Sequence, residues 1–274
     1  MLVTFATCWY ALNSKFPVDT YLQWMKYLLE SVNHYYLVIF TDVAGEKMLR
    51  EYFAPHYFET TTIKIVVKPI EQWYNYNYKS KWIENHTKNN LLNGSIRINT
   101  EWKLNMLWSE KVHFVNDVRL NRYFPETEFY GWCDIGYFRE GKTGTFVSRQ
   151  KINALNKNKV YYARVCDLTT LNNLKTIIQD KNDRGLPKIP IPPDQTSIAG
   201  GFFIAYHSKI DSWVKMYDEK LKLYFKNNYL VKDDQIIIID CILSHPERFQ
   251  LIDEDTIDSH HKFNHWFQFR RFLS

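Results

Sequence analysis

The sequence predicts an α/β fold with a mostly parallel central sheet flanked by helices, on three observations. First, residues 2–67 read as strand, helix, strand, helix, strand, an order that implies parallel pairing through right-handed crossovers. Second, the run Tyr35-Tyr-Leu-Val-Ile-Phe40 is apolar throughout, as a strand covered on both faces should be. Third, the chain has 274 residues, 45% of them apolar, and no internal repeat or convincing boundary divides it. That length suits one large domain or two small ones, and it is long enough to bury a large core.

Taken in order, residues 2–8 form the opening strand, with Thr4 and Thr7 helping to line its C-terminal end. Cys8-Trp-Tyr10 leads into a loop containing Pro17, and Asp19 or Thr20 is suited to cap the next helix. There Leu22, Met25, Leu29 and Val32 share one face at helical spacing. The strand at 35–40 ends in Thr41-Asp42, a helix follows at about 46–53, and a third strand at 62–67. No Gly-x-Gly-x-x-Gly follows the first strand and no Gly-Lys-Ser/Thr occurs, which argues against a Rossmann dehydrogenase and a P-loop NTPase. Residues 71–100 are rich in Asn, Tyr, Trp and Lys with weak periodicity; they read as short helices and a mobile surface loop near 91–94. The helix at 101–121 carries the stripe Leu104, Leu107, Trp108, Val115 and Val118. Lys111 falls on that stripe. Its stem either snorkels to the edge, or its ammonium meets a carboxylate such as Asp134 or a ligand phosphate, because an unpaired buried charge is expensive.

The stretch Glu128-Phe-Tyr-Gly-Trp-Cys-Asp-Ile-Gly-Tyr-Phe-Arg139 is the centre of the chain. Its strand-forming aromatics deliver one carboxylate, Asp134, to a strand end. In an open α/β sheet that is where ligand chemistry is placed; the plainer reading is a buried Asp that caps a turn. Gly136 permits a sharp turn or a close ligand approach. Residues 148–156 read as helix and 160–165 as strand. Residues 167–195 read as a long polar connection, either a lid or binding loop or else a disordered segment, in which Pro187, Pro190, Pro192 and Pro193 exclude regular structure. The strand at 197–206 opens with Gly200-Gly201, for a bulge or a ligand's approach. Ser208 with Asp211 resembles a capping box, and starts a helix striped by Ile210, Trp213, Val214, Tyr217, Leu221 and Tyr224. Lys232-Asp-Asp-Gln235 precedes four isoleucines. Asp233 is a natural N-cap, and Asp234 falls in the first turn, where acids are favoured for structural reasons but where an apolar, buried helix points them inward. A last strand covers 249–252. His261 and His265, four apart, are a weak metal signal without cysteine partners.

Composition narrows the function. Mean hydropathy is −0.41, and no apolar run approaches the roughly 20 residues of a membrane span. The N-terminus lacks the marks of a signal peptide. Cys8, Cys133, Cys166 and Cys241 form no Cys-x-x-Cys, which argues against structural zinc and fits a reducing, cytoplasmic setting. The net charge of +5 is spread along the chain. It points to an anionic small molecule or an acidic membrane surface, where the protein would be peripheral, rather than to nucleic acid.

The order of these features resembles the WlaTC/HtrL/YibB family of bacterial and viral proteins, which are treated as glycosyltransferases. The residues that carry the resemblance are the opening Val3-Thr-Phe-Ala-Thr7 strand, Leu107-Trp-Ser-Glu-Lys111, Phe129-Tyr-Gly-Trp-Cys-Asp-Ile-Gly136, Gly200-Gly-Phe-Phe203 and Asp234-Gln235. The resemblance spans about residues 2–252. It implies a GT-A fold, one Rossmann-like domain over residues 1–274, binding a UDP- or GDP-linked sugar and passing a hexosyl or pentosyl group to a glycan or glycolipid hydroxyl. By the resemblance Asp134 stands in the Asp-x-Asp motif that touches the ribose and a divalent metal, Mn²⁺ or Mg²⁺. Gly136 replaces the second Asp, so His261 or His265 is the expected further ligand, or Lys111 carries phosphate charge instead. Asp234 is the expected base or sugar-hydroxyl partner, and Asp233 its helix cap. Gly200 and Gly201 leave room for sugar or acceptor, and Thr4, Ala6, Thr7, Tyr10 and Asp42 contact base and ribose. Two other readings stand beside it. One is a carbohydrate-binding protein using some of the nine tryptophans and nineteen tyrosines. The other, ranked lower, is a sugar-phosphate nucleotidyltransferase, because Cys8–Asn13 replaces its glycine-rich loop.

Overall fold

A computed structural model describes residues 2–91, 100–141, 145–253 and 265–274. The first strand, β1 (Val3–Trp9), is buried along its whole length. Ala6 and Cys8 pack into one layer, and Val3, Phe5 and Trp9 into the other, as strand alternation requires. Helix α1 (Val18–Glu30) buries Leu22, Met25, Leu28 and Leu29. Pro17 occupies its N-cap, so neither Asp19 nor Thr20 caps it, and Val32 lies beyond its end. β2 (Tyr36–Thr41) follows, then α2 (Val43–Tyr52) and β3 (Ile63–Val67). Helix α2 begins earlier than periodicity indicates because Asp42 caps it, accepting the Gly45 N–H at 2.7 Å.

The remaining elements are α3 (Lys79–Lys88), α4 (Trp102–Asn121), β4 (Phe129–Cys133), α5 (Arg149–Asn153), β5 (Val160–Arg164), α6 (Leu168–Gln179), β6 (Ile198–Tyr206), α7 (His207–Lys226), α8 (Asp234–Ser244), β7 (Phe249–Ile252) and α9 (Phe269–Phe272). The sheet order is β3-β2-β1-β4-β6-β5-β7. β1, β2, β3 and β4 pair in parallel, as do β5 and β7, while β6 runs antiparallel to both its neighbours. The mostly parallel α/β sheet expected from the sequence is therefore present, with β6 reversed inside it. One face is covered by α3, α4, α6, α7 and α8, the other by α1, α2, α5 and α9. Among the described residues no helix is long and apolar enough to cross a membrane.

Two readings need correction. Residues 167–195 are not irregular throughout: their first half is α6, which Asp167 caps by accepting the Thr170 N–H, and which buries Leu174 and Ile178. The prolines fall after that helix. Ser208 and Asp211 make no capping box, since α7 begins at His207 with no side-chain cap, and Asp211 lies 3.6 Å from Arg119. The aperiodic segment after residue 70 has a different logic, because its polar side chains fasten backbone. Glu110 accepts the N–H groups of Tyr74 and Asn75 at 2.8 and 2.9 Å. Asn85 and Asn105 both donate to the Val231 carbonyl, at 2.7 and 2.9 Å, and Asn89 to that of Lys232 at 3.0 Å. They hold the chain where it enters α8. Most of the loop expected near 91–94 lies outside the described residues.

Candidate functional site

A cleft of about 710 Å³ opens beyond the C-terminal ends of β1 and β4. β1 is followed by β2 on one side of it and flanked by β4 on the other. This is the topological switch point, where an open α/β sheet leaves a crevice.

Three elements meet at its floor. Helix α4 carries Lys111, the end of β4 delivers Asp134, and the first turn of α8 supplies Asp234. The Lys111 ammonium lies 3.2 Å from Asp134 Oδ1 and 3.2 Å from Asp234 Oδ2, and donates to the Gly200 carbonyl at 2.9 Å. Trp132 donates its indole N–H to Asp134 Oδ1 and presents its ring 5.9 Å from the ammonium. The Lys111 side chain is 8% exposed, so it does not snorkel; it meets two carboxylates instead. The Asp234 side chain is 5% exposed and that of Asp134 40%, so one acid is inside and the other faces the cleft. Asp233 caps α8 as expected, accepting the Gln235 N–H at 3.1 Å, and pairs with Lys232 at 2.8 Å.

The glycine pair makes room for these acids at the cleft wall. A Cβ on Gly200 would stand 3.0 and 3.1 Å from the Asp234 oxygens, and one on Gly201 3.1 Å from Asp134 Oδ2. The reversed β6 places the pair there: Cys133 pairs with Phe202, and the Asp134 N–H bonds the Gly201 carbonyl at 2.8 Å.

Burial drives the Asp234 pKa up to about 7; Lys111 opposes that shift, and Asp233 and Asp134 add to it. For Lys111, burial disfavours the charge, but the attraction of Asp134 and Asp234 outweighs it and the net shift is upward. Lys111 is thus a cation at neutral pH, and Asp234 exchanges its proton there. A carboxyl raised in the fold binds more protons native than unfolded between its unfolded pKa, near 3.9, and its folded value. Its contribution to stability therefore falls as pH rises through that window. Urea unfolding from pH 4 to 7 is expected to show this falling contribution, and Asp234→Asn to remove it. An unchanged slope in the variant would place the titration elsewhere.

The other expected site residues divide. Tyr10 and Gly136 line the cleft with Lys111, Asp134, Gly200, Gly201 and Asp234. The Tyr10 hydroxyl is engaged, donating to the Lys68 carbonyl at 2.7 Å and accepting the Trp73 indole N–H at 3.1 Å. Thr4, Ala6 and Thr7 are buried inside β1 and do not line the cleft, and the Thr4 hydroxyl is bonded to that of Thr127. Asp42 is a helix cap outside it. His265 starts a short 3₁₀ turn whose Trp266 and Phe267 reach the cleft while it does not. His261 lies outside the described residues.

The described residues do not build the expected divalent-metal site. An ammonium already lies between the two carboxylates, residue 136 has no side chain, and among the described residues no group of three or more His, Cys, Asp or Glu is placed to hold a metal ion. Sequence reasoning missed two cations that line the same cleft, Lys15 and Arg139. Arg139 ends the central aromatic stretch, and that adjacency was the available signal; nothing marks Lys15 within its loop.

Residues 8–265 match the sequence model of a family described as a bacterial protein of unknown function, HtrL/YibB. The chain belongs to the HtrL/YibB family. No curated protein matches it. In this HtrL/YibB protein the matched span contains Lys111, Asp134, Gly200, Gly201 and Asp234, all of the cleft floor, and leaves out Thr4, Ala6 and Thr7.

Proposed function

We propose that this HtrL/YibB protein is a glycosyltransferase that moves a sugar from a nucleotide-sugar donor, UDP- or GDP-linked, to a hydroxyl of a glycan or glycolipid. The observation that carries the reading is the Lys111–Asp134–Asp234 triad at the floor of a switch-point crevice. Such a transfer needs the acceptor hydroxyl held against the anomeric carbon, a base for its proton, and compensation of the charge that develops on the departing diphosphate. Asp234, poised near neutral pH by burial, is suited to take the proton. Lys111 fixes the direction of both carboxylates. Asp134, facing the cleft, is suited to accept hydrogen bonds from ribose or sugar hydroxyls. The glycosyl chemistry itself rests on fold analogy and on the family resemblance.

A thermal-shift titration with nucleoside diphosphates, with and without Mn²⁺, tests the reading. Ligand at one hundred times its Kd is expected to stabilise the native protein by about 2.7 kcal/mol. A shift with one nucleotide supports a transferase and names its donor class, and a Mn²⁺-dependent shift would bring a cation into the cleft. Failure of every nucleotide would turn the assignment to glycan binding. That second reading has its own observation, the exposed aromatics Phe16 and Trp266 at the cleft, 39% and 38% exposed.

A further inference from the structure

We infer that Lys15 and Arg139 form a clamp in the cleft that takes the diphosphate, or an equivalent double anion, of the ligand; this rests on the transferase reading above. The cleft floor cannot do so unaided. Lys111 is compensated by two carboxylates, so the triad is neutral with Asp234 protonated and carries −1 with it ionised. Asp233 has its own cation in Lys232. Among the described residues, Lys15 and Arg139 line the cleft with no carboxylate at ion-pair distance.

Both cations are shelved on indoles. The Lys15 ammonium lies 4.8 Å from the Trp108 ring. The Arg139 guanidinium lies 4.4 Å from Trp24, 5.3 Å from Phe16 and 5.2 Å from Phe267. Trp108 belongs to α4 and Trp24 to α1, helices on opposite faces of the sheet. The two helix layers thus each supply a shelf for one cation of the same cleft, and Phe16, next in sequence to Lys15, lies under Arg139. Arg139 is also held by its Nε, which donates to the Gly136 carbonyl at 3.1 Å. Its outer nitrogens remain for a bidentate contact with phosphate oxygens.

Gly136 touches both Arg139 and its shelf. A Cβ there would stand 2.8 Å from the Trp24 ring. The position where the resemblance anticipates a second, metal-holding carboxylate is thus the seat of the tryptophan that carries Arg139. A fixed guanidinium takes the place of an acid that would have needed a cation.

The test is calorimetry in EDTA with inorganic pyrophosphate, UDP and GDP, on the wild type, Lys15→Gln, Arg139→Gln, Arg139→Lys and the double Gln variant. Circular dichroism would confirm that the variants are folded. Each Gln change is expected to weaken pyrophosphate and the preferred nucleotide by roughly tenfold or more, the scale of one charged hydrogen bond. The double variant should bind neither, and Arg139→Lys should recover only part of the loss. Equal nucleotide binding by wild type and variants would overturn the clamp and leave the transferase reading standing. Pyrophosphate binding lost in the variants, with no nucleotide bound more tightly than pyrophosphate, would keep the clamp and remove the nucleotide-sugar donor. No pyrophosphate binding by the wild type would overturn the clamp.

Discussion

Replacement of Lys111 by methionine is expected to destabilise the protein by about 3–5 kcal/mol at pH 8, the usual cost of removing one partner from a buried ion pair, and by clearly less at pH 5. Methionine keeps most of the stem's volume, so packing changes little and the charge is what disappears. Asp134 and Asp234, each 3.2 Å from the lost ammonium, then face one another uncompensated, and the Gly200 carbonyl loses its donor. At low pH Asp234 escapes by taking a proton, since burial already favours its neutral form. At pH 8 keeping that proton is costly. Urea unfolding at both pH values checks this. An equal loss at pH 5 and pH 8 would show that Lys111 acts through its packing and not by balancing the acids.

Asp134→Ala is expected to lower sugar transfer, read as nucleoside diphosphate release from the donor found by thermal shift, by about 10²–10³-fold or more, the scale for losing one preorganised polar group in an active site. The fold should survive. The Asp134 side chain is 40% exposed, its backbone N–H bond to Gly201 is independent of the side chain, and Lys111 retains Asp234 as a counter-charge. A melting temperature near that of the wild type would separate lost chemistry from lost structure. Activity within a few-fold of wild type would remove Asp134 from the reaction.

How much of this was legible in the sequence depended on whether the governing contact was local. β1 and β2 announce themselves because a strand buried on both faces must be apolar at every position. Lys111 stood out because a charge on an apolar stripe demands an explanation, and the carboxylate offered, Asp134, is one of its two partners. Asp234 is legible as an inward-facing acid because the isoleucines after it mark a buried helix, but its partner is not, since Lys111 comes from α4, more than a hundred residues earlier in sequence. Helix α6 was hidden for an ordinary reason. Leu168-Thr-Thr-Leu-Asn-Asn-Leu is polar enough to read as loop, the prolines that follow point the same way, and the one local signal for a helix is the Asp167 cap. The glycine pair was noticed, but its neighbours were not visible, because they come from β4 and α8 through the reversal of β6. Arg139 closes a strand-forming run in the sequence, and its place in the cleft depends on Trp24 from another element.

The two glycines also bear on how this sequence can drift. Gly200 lies against Asp234 and Gly201 against Asp134, so a side chain at either glycine would press its acid aside by a few tenths of an ångström. While the acid stays, a side chain at its glycine would have to displace it. A lineage that gives up one of these carboxylates relaxes the ban on a side chain beneath it, and the vacated volume invites one. A lineage that keeps the acid keeps the glycine as well. Positions 134 with 201, and 234 with 200, should therefore be inherited as pairs, and a sequence that keeps an acid above a substituted glycine would carry its carboxylate in a shifted position.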